Sequence, residues 1–247
     1  MVDLMAITRD HVFVSCSCMH PRALLLLFFL LVLCPAGAID RLGHFPPKAY
    51  LPPGDQACTE VHAGDLDGDG APDLVMRTAD AIHMMMNDGR GGFAPSRELP
   101  TARTLALGDV DADGDQDLVT VAPDTLYLND GKGNLAPAPA GTLKANISYP
   151  AGCRLGDLDG DRDLDLLIVG GSNQGTRVFL SDQAKFFAVP AATMPLKFET
   201  RNTHLADLDG DGDLDLLALD FSTPYLLLNN GMGVFSDAST NLPAPVA

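Results

Sequence analysis

The sequence predicts an all-β fold, a β-propeller-like array of four four-stranded blades preceded by a signal peptide, and three observations carry that prediction. An aspartate-rich loop recurs four times with its first residue at 65, 109, 157 and 207, intervals of 44, 48 and 50 residues. Self-similarity at this period marks a repeat array whose unit is one blade. No helical periodicity follows residue 38, and alternating apolar stretches separated by Asn/Asp-Gly turns fill each interval instead.

Each element of the unit follows in order. Apolar or small residues lie four and two positions before each loop, at Val61 and Ala63, Leu105 and Leu107, Cys153 and Leu155, and Thr203 and Leu205, and predict the first strand. The loop's ninth residue then opens the runs Asp-Leu-Val-Met, Asp-Leu-Val-Thr, Asp-Leu-Leu-Ile and Asp-Leu-Leu-Ala, so it starts the second strand. Residues 82–86, 125–128, 177–180 and 225–228 predict the third. These end in Asn87-Asp-Gly89, Asn129-Asp-Gly131, the degenerate Ser181-Asp-Gln183, and Asn229-Asn-Gly231; Asn/Asp-Gly tolerates the positive φ of a tight hairpin. A fourth strand starts near Phe93, Leu135, Phe187 and Phe235. The repeats divide as 57–100, 101–143, 149–195 and 200–247, behind a strand or linker at 39–56 whose His44–Pro52 segment resembles a surplus fourth strand.

The loops carry the chemistry. They place aspartates at positions 1, 3, 5 and 9: Asp65, Asp67, Asp69 and Asp73; Asp109, Asp111, Asp113 and Asp117; Asp157, Asp159, Asp161 and Asp165; Asp207, Asp209, Asp211 and Asp215. Carboxylates this close repel unless a cation offsets their charge. Calcium, which takes about 6 to 8 oxygen ligands in flexible geometry, fits better than magnesium, and zinc would want the His or Cys these loops lack. Up to four Ca2+ ions are expected. An EF-hand is excluded, because position 12 holds Met76, Thr120, Ile168 and Ala218 where that loop needs Glu. Glycine at position 6 (Gly70, Gly114, Gly212) lets the backbone turn around the ion, whereas Arg162 occupies that place in the third loop and predicts a weak or distorted site.

Composition agrees. The formal charge is −17, and the four loops, with four aspartates in the first and five in each of the others, hold 19 of the 33 acidic residues. Four divalent ions would bring the charge to −9, and no basic stripe exists to neutralise phosphates, so nucleic acid is excluded as a partner.

Residues 1–38 read as a secretory signal region. The apolar run 24–33 is too short to span a bilayer, Arg22 precedes it, and Ala36-Gly37-Ala38 supplies small residues for cleavage. Met19-His-Pro-Arg22 makes a better beginning for such a signal than residues 1–18, which offers Met19 as the true start. Cys34 raises a lipoprotein reading, against which stands the bulky Leu33. The mature chain then begins near Ile39, lacks a transmembrane helix, and keeps Cys58 and Cys153, as two buried thiols or one disulfide. Asn146-Ile-Ser148 is a glycosylation sequon in a eukaryotic source.

The loop Asp-x-Asp-x-Asp-Gly-x-x-Asp-Leu, followed by Leu-Asn-Asp-Gly-x-Gly-x-Phe, resembles the FG-GAP and VCBS repeats, similar to those of the integrin α-subunit propeller, over nearly all of the mature chain. The resemblance implies calcium-stabilised blades in secreted or cell-surface proteins, or periplasmic ones in bacteria, many of them concerned with adhesion or recognition. Arg162 and the presence of four blades, where seven are typical, depart from the pattern. The function expected is therefore non-enzymatic: a secreted calcium-binding protein whose loops meet a protein or glycan ligand. The alternatives are a propeller enzyme or accessory domain acting on polysaccharide, or a truncated piece of a larger adhesin. No nucleophile elbow or phosphate loop stands out. His62 and His204, three residues before their loops, are the polar candidates outside the loops, and Met84-Met-Met86 reads as packing rather than a copper site. Each blade has two apolar faces, so an unclosed array would leave one bare at each end and self-associate.

Overall fold

The computed structural model describes residues 7–8, 11–12, 57–171, 175–182, 185–188, 202–220 and 223–242. The signal region, apart from the short pair β1 (Ile7–Thr8) and β2 (His11–Val12), and the 39–56 segment lie outside them. The remaining strands form four antiparallel sheets, each from consecutive strands. Blade one is β3 (Glu60–Gly64), β4 (Asp73–Arg77), β5 (Ala81–Asn87) and β6 (Phe93–Pro100). Blade two is β7 (Thr104–Gly108), β8 (Asp117–Val121), β9 (Thr125–Leu128) and β10 (Ala136–Pro137). Blade three is β11 (Pro150–Gly156), β12 (Asp165–Gly170), β13 (Arg177–Asp182) and β14 (Lys185–Ala188). Blade four is β15 (Asn202–Ala206), β16 (Asp215–Asp220), β17 (Thr223–Asn229) and β18 (Phe235–Asp237), followed by a 3-10 turn at Ser239–Asn241. Among the described residues no helix is long and apolar enough to cross a membrane.

The predicted boundaries hold at the loops. The first two strands of every blade pair so that the residue before the loop faces the loop's last aspartate: Gly64 with Asp73, Gly108 with Asp117, Gly156 with Asp165 and Ala206 with Asp215. Blade three differs in its last hairpin. Its fourth strand starts at Lys185, close to the expected Phe187, and the shorter hairpin pairs Asp182 with Lys185 and Ser181 with Phe186, so that Phe186 is buried as Phe93 and Phe235 are opposite Asn87 and Asn229.

The chain forms two compact units, the first sheet together with Gly131–Asn134, and blades two to four without that segment. In the first, Met76, Met85 and Phe93 cluster with Cys58, Val61 and Leu74, and Met84 is fully buried, so the methionine run is packing. In the second, the strand alternation gives each sheet two apolar faces. Val119, Val121 and Leu126 of blade two meet Cys153, Leu166, Ile168 and Phe179 of blade three. Blade three's other face, Leu167, Val169 and Val178, meets Leu216, Ala218, Leu227 and Phe235 of blade four. Leu164 and Leu214, the eighth residues of their loops, pack against the glycines before the preceding loops: a Cβ on Gly108 would lie 2.7 Å from Leu164 Cδ1, and one on Gly156 2.8 Å from Leu214 Cδ1. Cys58 and Cys153 are both thiols, and burial pushes the Cys58 thiol up.

Candidate metal centres

Each loop is wound on its own carboxylates. The first aspartate accepts two amides across the turn: Asp65 from Gly68 and Gly70 at 2.8 and 2.9 Å, Asp109 from Asp113 and Gly114 at 3.1 and 3.0 Å, Asp157 from Gly160 and Arg162 at 2.7 and 3.1 Å, Asp207 from Gly210 and Gly212 at 2.7 and 3.2 Å. The fifth caps the backbone two residues on, as Asp69 accepts from Ala71 and Asp113 from Asp115. The ninth is wholly buried in all four loops. One of its oxygens takes the amide of loop residue two (Leu66, Val110, Leu158, Leu208) and the other the amide at the end of the third strand (Asn87, Asn129, Ser181, Asn229), at 2.7–3.0 Å.

This winding brings residues 1, 3 and 9 together. An oxygen from each of Asp65, Asp67 and Asp73 lies within 4.8 Å of the others, and the same holds for Asp109, Asp111 and Asp117, for Asp157, Asp159 and Asp165, and for Asp207, Asp209 and Asp215. Position 5 (Asp69, Asp113, Asp161, Asp211) stands outside those groups but close enough to act on them: the charges of Asp113 and Asp161 add to burial in raising the neighbouring ninth residues. Burial, then this repulsion, pushes Asp117 and Asp165 up to about 6 against the pull of their two amides, and lifts Asp73 in the same direction. Asp111 and Asp159 are raised by burial first and by Asp113 and Asp161 next.

The donor set suits a hard cation. Every convergent atom is a carboxylate oxygen, and Asp111 Oδ1 is buried with no hydrogen-bond donor facing it. Asp65, Asp67 and Asp73 with their counterparts would hold the ion, which would supply the positive charge these carboxylates lack.

The third loop is not distorted. Arg162 adopts φ +79°, beside +84°, +98° and +98° at Gly70, Gly114 and Gly212, and makes the same amide bond to the first aspartate. The departure is absorbed as backbone strain instead, and Ala112 at φ +59°, where the other loops have glycine at position 4, carries the same strain in loop two. The candidate histidines each lie beside an arginine-bearing contact of their own blade or its neighbour, and His62 beside an ion pair. His62 Nε2 lies 3.3 Å from Glu60, which Arg77 also holds at 2.9 Å; although burial opposes them, these two keep the Glu60 carboxyl below its usual range. His204 is half-buried, and burial, then Arg154, depresses it.

Sequence reasoning took the Asn of each Asn-x-Gly turn for a hairpin residue. Its side chain also braces a loop: Asn87 Nδ2 donates to the Pro72 carbonyl at 2.9 Å and Asn129 Nδ2 to Gln116 at 3.0 Å, whereas Asn229 Nδ2 reaches Leu158 of the preceding blade at 2.8 Å. Ser181 is too short to do so, and its hydroxyl is buried without a partner.

No curated protein matches the chain. Among solved structures, one of an Agrocybe aegerita lectin recognising non-reducing terminal N-acetylglucosamine aligns with 71% of the chain at 21% identity and a TM-score of 0.51. A complex of BBS1N with ARL6DN aligns with 71% at 14% and 0.45, and the Tc holotoxin pore of Photorhabdus luminescens with 76% at 19% and 0.40. The chain spans 50%, 54% and 9% of those chains in turn, and at these identities the lectin likeness speaks to fold alone. The FG-GAP-like repeat matches residues 65–120, 109–168, 157–218 and 207–247, every match opening on the first aspartate of a loop, and the chain belongs to that repeat family.

Proposed function

We propose that the protein is a secreted, non-enzymatic recognition module whose four loops each bind one calcium ion, with loop three weakest. The observation that carries the calcium reading is the convergence of three carboxylates in every loop, with Asp111 Oδ1 left without a donor. Arg162 is what weakens loop three, because it brings a positive charge and a strained backbone to the ion's loop. A glycan or protein is the expected ligand, a reading with which the lectin neighbour is compatible.

Differential scanning calorimetry with calcium and with excess EDTA tests the core of the proposal. Each loop filled at about 100-fold above its dissociation constant adds about 2.7 kcal/mol by mass action, so the calcium form should melt well above the chelated one. An unchanged midpoint would sink it.

A further inference from the structure

The backbone of loop residue two is shared between blades. In blade three, the Leu158 N–H donates to Asp165 Oδ2 at 2.7 Å, while Asp157 and Asp159 flank it in sequence. Its carbonyl points the other way and accepts two bonds from blade four's turn, from the Gly233 N–H and from Asn229 Nδ2, both at 2.8 Å. Gly233 is pressed against blade three as well: at φ +67°, a Cβ there would lie 3.1 Å from Leu180 Cδ2 and 3.6 Å from Val178 Cγ1. Blade one repeats the device, with the Gly133 N–H on the Leu66 carbonyl at 2.8 Å while the Leu66 N–H is held by Asp73. Between the paired Asp182 and Lys185 of blade three the sequence has Gln183 and Ala184, with no glycine to offer blade two. In blade four, Leu208 is 45% exposed where Leu66, Val110 and Leu158 are 0–2%.

We propose that the loops act as clamps in which calcium held by Asp157, Asp159 and Asp165 fixes Leu158 and thereby docks the Asn229–Gly233 turn of blade four, so that emptying loop three frees the Gly233 end of that turn while loop four keeps the Asn229 end. The inference rests on the calcium reading above. Loop one acts likewise on Gly131–Asn134, and loop four holds the Asn229 amide of its own sheet. Asn229 and Gly233 lie four residues apart on one turn and report different loops, since the Asn229 N–H bonds to Asp215 Oδ1 of loop four at 2.9 Å.

Amide hydrogen exchange on the full chain, with calcium alone as the probe, separates them. In Asp159→Asn the Gly233 amide should exchange about ten-fold faster while Asn229 keeps its protection, and Asp209→Asn should show the reverse. Chelator titration of the unaltered protein is the second measurement, independent of whether a variant folds well: Gly233 should lose protection before Asn229, as the strained loop three empties first. A Gly233 amide unmoved in an Asp159→Asn protein that binds one ion fewer by isothermal titration overturns the clamp and leaves the calcium reading standing. An unaltered protein that binds no calcium overturns both.

Discussion

At the scale of single residues, the ninth aspartate decides most. It is buried, doubly bonded to backbone amides and surrounded by like charge, a combination the sequence exposes only as a position in a motif; the amide from the third strand could not be foreseen, because it comes from 12 to 16 residues downstream. Without an ion, burial pushes Asp117 and Asp165 up to about 6, above the ordinary carboxylate value of the unfolded chain, so the native state holds protons more tightly. Their contribution is therefore favourable below about pH 4 and is lost as pH rises to about 6. Thermal midpoints in EDTA should fall across that window, and those in saturating calcium should rise across it, because protons then compete with the ion. Parallel curves would contradict the assignment.

At the scale of the loop and its strands, the sequence was legible where a residue's type alone sets the geometry. Position 9 as the start of a strand, glycine at position 6 and the third strand's extent all emerged from spacing. The fate of Arg162 did not, since a side chain that costs about 1 to 2 kcal/mol in the left-handed region can either distort a loop or be tolerated by it, and only the amide bond to Asp157 shows which. Arg162→Gly and Ala112→Gly should each raise stability in urea by about 1 kcal/mol, less than the full strain because glycine also loosens the unfolded chain. Arg162→Gly alone should also tighten calcium binding at loop three in isothermal titration. The shortened third hairpin was equally hidden, because Phe186 and Phe187 are adjacent and only the register distinguishes them.

For the molecule as a whole, one overlooked signal sets the fourth blade apart from the others. Glycine precedes the first three loops, and Gly108 and Gly156 make room for a leucine of the following blade, whereas the fourth loop is preceded by Ala206. Blade four's outward face agrees: Leu219 is 39% exposed and Leu217, Leu226 and Leu228 are half-buried, in the register where blade three's Leu167, Val169 and Val178 are covered. Sedimentation velocity should show self-association that grows with concentration, and Leu219→Lys should weaken it by placing a charge in that face. A variant that associates as strongly as the parent would point elsewhere. The consecutive strand order has a consequence of its own. Among the described residues the widest strand pairing in the four sheets joins Pro150 to Gly170, twenty residues apart, so contact order is low for a β protein and each blade can close soon after its last residue is made. Calcium, on the reading proposed above, would then tighten blades that have already closed rather than start their folding.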